Sequence, residues 1–275
     1  MNVYVVEDDG GLVLIDSGWA LEQARTALTS ALAALGAALG DVRSFLVTHV
    51  HRDHYTLAVQ LRREFPSAVS LGLGEIARSL PGGTADWEAP DRWLTPDQEI
   101  RLSARTLTAI ATPGHTRGHM VFRDTAAGLL FAGDHVLPHI TPSIGFEAVP
   151  SRQPLHAYLQ SLRLVRGLPD TRLLPAHGPV TDSVHARIDE LLAHHDDRLS
   201  RCLDAVRAGA ATAYEAAGCL RWTRRERQLG ELDPFNQMLA VIETRAHLEL
   251  LVAQGRLAST DADGVTFYRE AGPPS

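Results

Sequence analysis

The chain contains no lysine: all 26 of its Lys-plus-Arg cations are arginine, a bias that reads as compositional rather than chemical. Cysteine is nearly absent too. Cys202 and Cys219 stand alone in helix-like sequence, which is neither a zinc pattern nor a disulfide framework, so both are expected to be packing residues. No run of eighteen apolar residues occurs, which excludes a helical membrane span. Met1-Asn2-Val3-Tyr4 enters strand-like sequence without a basic leader, so a secretory signal is not expected and a cytoplasmic location is the default. The formal charge of -7 argues against a polyanionic partner.

What the sequence does have is histidine in the wrong place for a bland core. Thr48-His49-Val50-His51-Arg52-Asp53-His54 puts four ligand-type side chains into six residues directly after the apolar run Phe45-Leu46-Val47. Imidazoles and a carboxylate crowded at a strand end repel one another when protonated and lose hydration when buried; a bound cation is the simplest compensation. Three further segments each add a donor in a turn. They are Thr112 to His119, Phe131 to His135 and Leu174 to Gly178, and each follows a short apolar run punctuated by Gly or Pro. Donors at the ends of separate strands can converge at one edge of a sheet.

Taken in order, His-x-His-x-Asp-His, then His115, Asp134 and His177, resembles the metallo-β-lactamase superfamily from about Asn2 to His177. The resemblance implies an α/β fold, the αββα sandwich of that superfamily, over residues 1–181, with a small helical, winged-helix-like domain over 182–275. It further implies that His49, His51 and His115 hold one metal, that Asp53, His54 and His177 hold a second, and that Asp134 bridges them. Imidazole-rich sites with a few carboxylates suit two Zn²⁺, while Fe or Mn tolerate the same donors. Asp16, in Leu14-Ile15-Asp16-Ser17-Gly18, stands where the family keeps a carboxylate that orients a ligand. An aspartate bridge resembles the glyoxalase II and lactonase branches more than true β-lactamases.

Elsewhere the reading is one of alternating elements. Residues 3–6 and 12–15 form a hairpin, 20–39 and 55–65 form amphipathic helices, and the start of the chain inside the hairpin suggests a shortened N-terminus. The stretch 72–96 reads as a loop whose Trp87 and Trp93 are candidate substrate walls. Length and a 45% hydrophobic content allow one large domain plus an appendage. After Asp182 three helical patterns (182–206, 211–220, 234–254) precede a hairpin over 256–269 turning at Asp263-Gly264. That tail carries eleven Arg against fifteen acidic residues, so nucleic acid is a disfavoured partner despite the cluster Arg221, Arg224, Arg225 and Arg227.

The resemblance implies a hydrolase in which a metal-bridging hydroxide attacks the carbonyl of a small thioester, ester or lactone, with Asp53 orienting the nucleophile and taking its proton. The alternative is a phosphodiesterase of RNA or DNA using the same ions; a binding module without turnover and a mononuclear iron oxygenase acting on persulfides are the outside classes. Lactonases of the family support the oxyanion with a tyrosine, and Tyr158 is the one tyrosine between Asp134 and His177, though its spacing with Leu155, Leu159 and Leu162 favours packing. Glutathione thioesters are not favoured: residues 136–145 do not resemble the family's glutathione-binding stretch, and no lysine is present to hold its carboxylates. A small-molecule acyl substrate, no membrane partner and a candidate homodimer complete the expectation.

Overall fold

The computed structural model describes residues 1–65, 67–72, 88–147, 149 and 151–272. Two five-stranded sheets lie face to face. The first runs β1 (Tyr4–Asp8), β2 (Gly11–Ile15), β3 (Val42–Val47), β4 (Ala68–Gly72) and β5 (Arg92–Leu94) in spatial order, with β1 antiparallel to β2 and the rest parallel. The second is ordered β10 (Arg172–Pro175), β9 (Leu129–Gly133), β8 (Met120–Asp124), β7 (Thr106–Ala111), β6 (Gln98–Arg101), antiparallel except for β9 with β10.

Strand alternation decides which residues form which layer. Val13, Ile15 and Leu46 of the first sheet bury against Leu107, Phe122, Phe131 and Leu174 of the second, making the central core. Their sequence neighbours Leu14, Phe45 and Val47 point the other way, onto α1 (Glu22–Ala34) through Leu28 and Leu32 and onto α2 (Arg52–Arg62) through Leu57 and Leu61. Likewise Leu130, Ala132 and Leu173 leave the central core for the far face of the second sheet. There they meet Leu155, Leu159 and Leu162 of α3 (Pro154–Arg166). Each face is buried by a helix layer, giving helix, sheet, sheet, helix: the expected αββα sandwich.

That outer cluster continues into the rest of the chain. It includes Ile188 and Leu203 of α4 (Val184–Arg207), Ala216 of α5 (Ala213–Cys219), Leu248 and Leu251 of α6 (Pro234–Ala253), and Tyr268 of the ribbon β11 (Leu257–Ala262) with β12 (Val265–Glu270). Among the described residues no helix is long and apolar enough to cross a membrane. Three details depart from the sequence reading. Residues 72–96 are not loop throughout, because β4 ends at Gly72 and Trp93 sits on the edge strand β5, 41% exposed; Trp87 lies outside the described residues. α2 starts at Arg52 rather than Tyr55, since His51 in extended conformation serves as its N-cap, so Asp53 and His54 occupy the first helical turn. Cys219 is exposed and only Cys202 is buried, so packing explains one of the two.

Candidate metal centre

The candidate donors all follow the C-terminal ends of strands. His49 follows β3, His115 follows β7, Asp134 follows β9 and His177 follows β10, while the first turn of α2 returns Asp53 and His54 to the same edge. A backbone hydrogen bond ties the two sheets together there, Met120 N–H donating to Thr48 O at 2.8 Å, while Ala176 N–H donating to Gly133 O at 3.0 Å extends the pairing of β10 with β9 within the second sheet.

His49, His51 and His115 converge as one triad. His115 Nε2 lies 3.3 Å from His49 Nε2 and 3.0 Å from His51 Nδ1, and His49 Nε2 lies 3.0 Å from His51 Nδ1. Asp53, His54 and His177 form the other: Asp53 Oδ2 is 3.1 Å from His177 Nε2 and 3.5 Å from His54 Nε2. Asp134 stands between, its Oδ2 at 3.7 Å from His115 Nε2 and its Oδ1 at 3.6 and 3.5 Å from His54 and His177 Nε2. Zinc bonds of about 2.0–2.1 Å would separate the donors of one tetrahedral ion by about 3.3–3.4 Å, in the middle of these spacings. Two of the inward atoms, His54 Nε2 and Asp134 Oδ1, are buried with no hydrogen-bond partner. Buried polar atoms left unpartnered are costly, and a cation satisfies them. The donor set therefore fits a metal.

The second ring nitrogen of four histidines is held from outside. His54 Nδ1 meets Asp16 Oδ2 at 2.9 Å, and His115 Nδ1 meets the Ser143 carbonyl at 2.7 Å. His51 Nε2 faces Phe146 O at 3.3 Å, and His49 Nδ1 faces Thr48 Oγ1 at 3.1 Å. Thr48 Oγ1 in turn lies 2.9 Å from Asp16 Oδ2, so one carboxylate steadies a ligand in each triad. Asp16 holds this position at φ 60°, a left-handed conformation that Asp tolerates better than most residues. Replacing Asp16 with Asn, which keeps the size and removes the charge, should weaken metal binding by about 10–100-fold; competition with a fluorescent chelator would measure it.

Electrostatics differ between the two triads. Burial holds His49 and His115 well below the usual imidazole range, and burial with the nearby His54 charge lowers His51 to about 4, so all three present neutral lone pairs. Burial pushes His54 down as well, but Asp16, Asp134 and Asp53 outweigh it and raise it to about 9. Asp53 is pushed up by burial, yet the hydrogen bond from His177 and the charge of His54 keep its carboxyl below the ordinary range.

Other residues named from the sequence fall into place around the cage. Tyr158 has no exposed surface, and its hydroxyl donates to His135 O at 2.9 Å, so it faces core rather than cavity. His119 Nε2 accepts the Asp134 N–H at 3.2 Å, seating Asp134 between the two triads. Gly133, at φ 50°, leaves room that a Cβ would take 2.7 Å from Thr48 Oγ1 and 2.8 Å from His119 Nε2. The contacts that sequence reasoning missed are the Ser143 and Phe146 carbonyls and Glu147, whose two oxygens each accept the Arg117 N–H at 3.1 Å and tie the His115 turn to this loop. Backbone carbonyls leave no residue-type signal, so only the close approach in three dimensions reveals them.

The same donors lie within the span, residues 2–177, that matches the metallo-beta-lactamase superfamily model. The chain belongs to this superfamily. It is 28% identical over 198 residues to a beta-lactamase-like protein 2 homolog of Caenorhabditis elegans, covering 72% of this chain and 62% of that protein. It is also 28% identical over 206 residues to an atrochrysone carboxyl ACP thioesterase of Aspergillus fumigatus, covering 75% of this chain and 44% of that one. The chain thus spans about half the length of these curated relatives. A metallo-beta-lactamase family protein from Thermus thermophilus superposes with a TM-score of 0.82 at 27% identity, covering 98% of this chain and 93% of that structure.

Proposed function

We propose that this superfamily member is a metal-dependent hydrolase that holds two Zn²⁺, with Fe or Mn as fitting substitutes, and cleaves small acyl thioesters, with esters or lactones as related substrates. The observation that carries the reading is Asp134, whose two oxygens address different triads at 3.5 to 3.7 Å. His49, His51 and His115 would hold one ion, Asp53, His54 and His177 the other, and Asp134 both. When bound, such a pair acidifies a coordinated water from about 15.7 toward 7 and polarises a carbonyl.

The chain's own residues do the rest. Asp53 is the exposed end of the cage, with 34% of its side chain accessible against none for His54, so it is the carboxylate that reaches entering solvent. Its free oxygen would orient the attacking water and receive its proton. No side-chain hydroxyl or thiol is needed as a nucleophile. The acyl part of the substrate has a surface beside the cage: the Phe146 ring lies 6.2 Å from the His51 ring and 5.7 Å edge-on from Phe235, which is 54% exposed. Met238, one turn along α6, is 42% exposed. Large apolar side chains left open at a polar site fit a hydrophobic acyl group. The thioesterase name of the Aspergillus relative agrees with that chemistry.

The test is a substrate panel of acyl thioesters, lactones and single-stranded RNA with the metal-loaded protein. Thioester turnover with intact RNA is the expected result; RNA cleavage without acyl hydrolysis would instead establish the phosphodiesterase reading. Phe235→Ala should raise KM for an octanoyl thioester by about 10-fold or more, the equivalent of one buried aromatic, and leave an acetyl thioester nearly unchanged.

A further inference from the structure

α4, α6 and the segment after α5, with residues 139–141, line a cavity of about 420 Å³ that none of the chemistry above uses. Its lining carries five arginines, Arg187, Arg198, Arg201, Arg221 and Arg224. Three lining carboxylates, Asp197, Glu226 and Glu243, and Glu190, which pairs with Arg187 at 2.7 Å, oppose them, leaving an excess of one positive charge (5 − 4). Part of this charge is structural. Arg224 donates to His139 O at 2.5 Å, Arg187 to Leu137 O at 2.6 Å, and Arg201 pairs with Asp197 at 2.8 Å.

Arg198 is different. It is 6% exposed, its guanidinium carbon stacks 3.9 Å over the Trp222 ring, and Nη1 donates to Arg221 O at 2.8 Å. Its Nε is buried with no hydrogen-bond partner and makes only a long ion pair with the Glu243 carboxylate, at 3.8 Å. A guanidinium stacked and buried with an unmet donor is a poor contributor to stability but a preorganised receptor for an oxyanion. The cavity also adjoins the reacting edge. His139 lines it, and Pro138 and His139 pack on Gly178, where a Cβ would lie 2.8 Å from Pro138 Cγ and 3.8 Å from His139 Cδ2. Gly178 directly follows His177, which with Asp53 forms the open half of the cage at 32% and 34% side-chain exposure.

We propose that this arginine-lined cavity binds the phosphate of a phosphorylated thiol carrier, a pantetheine-type arm such as that of coenzyme A, while its thioester lies at the metal cage. The proposal rests on the thioesterase reading for the identity of the carrier, and on the Arg198 pocket alone for the anion. RNA offers phosphate too, but a stretched polyanion needs a continuous basic track, whereas here the charge is confined to one concavity in a chain of net charge -7.

Two substrates sharing one acyl group separate the possibilities: acyl-coenzyme A, and acyl-N-acetylcysteamine, which has no phosphate. Arg198→Gln should lower kcat/KM for the first by roughly ten-fold or more and leave the second within two-fold, as expected for one charge-assisted contact. Arg221→Glu, an exposed change that spares the core, should do the same and guards against a folding defect in the first variant. Desulfo-coenzyme A, which lacks the thiol, should bind the wild-type protein at least ten-fold more tightly than either variant by calorimetry. Equal losses on both substrates, or binding of desulfo-coenzyme A unaffected by both variants, would overturn the proposal. So would variants that weaken only the binding of a single-stranded RNA oligomer. If neither thioester turns over, the hydrolase reading fails, while the calorimetry still decides whether the cavity is a phosphate site.

Discussion

Asp134→Ala is expected to strip the protein of its metals and reduce thioester turnover to background, a larger effect than loss of any single histidine. Each histidine belongs to one triad, so His51→Ala leaves Asp53, His54 and His177 intact. Asp134 is the residue whose oxygens approach both, at 3.7 Å to His115 on one side and 3.6 and 3.5 Å to His54 and His177 on the other. Outer partners of ligands cost about 10–100-fold in affinity when removed, so a shared ligand should exceed the top of that range. Elemental analysis after gel filtration gives the metal content directly. The fold should survive, because Asp134 belongs to none of the three apolar clusters that hold the layers together. What disappears is the stabilisation that bound metal confers, about 4 kcal/mol at a thousand-fold excess over Kd, visible as a lower Tm that added Zn²⁺ no longer raises. A variant that retained two ions per chain and full rate would remove the basis of the proposed chemistry.

The donors are legible in the sequence because metal sites violate the ordinary placement of polar residues. His49, His51, Asp53 and His54 crowd behind the apolar strand β3, and Asp134 and His177 each end another apolar run, so their positions stand out without a structure. Periodicity likewise exposes the sandwich: Val13, Leu14 and Ile15 alternate between the central core and the outer helices. Three kinds of feature stay hidden. The start of α2 escapes a reading by residue type because His51 caps the helix with its backbone while its ring turns to the other histidines, a double role that nothing in the sequence announces. The strand β5 is only three residues long, too short for any alternation to register. Phe235 reaches the neighbourhood of the cage from the tail, and no local pattern links a residue on α6 to a turn far earlier in the chain. Long-range pairing of that kind is set by how the outer faces of α3, α4 and α6 pack, which only the assembled cluster shows.

Gly114→Ala should be among the most damaging single methyls that the described residues can receive. Gly114 precedes His115 at φ +142°, a conformation L-residues rarely adopt, and an added Cβ would sit 2.4 Å from Tyr158 Cα and 2.6 Å from Tyr158 N. A flexible side chain could swing aside; the backbone of α3 cannot, because Tyr158 is wholly buried and the adjacent turn is clamped by Ser161 Oγ donating to Pro113 O at 2.9 Å. Strain from φ and overpacking against a helix backbone add, and a loss above about 4 kcal/mol follows, most of the reserve of a domain at the lower end of ordinary stability. The close approach also carries function, since it is the seating of this turn on α3 that directs His115 Nε2 at His49 and His51. Thermal melts of Gly114→Ala beside Gly10→Ala, whose Cβ would meet nothing within 4 Å, give the comparison: the first should be insoluble or melt far lower, the second should stay within about 0.5 kcal/mol of the parent. If Gly114→Ala melted like the parent and kept its metal, the turn that carries His115 would not be held by α3 in the way the packing indicates.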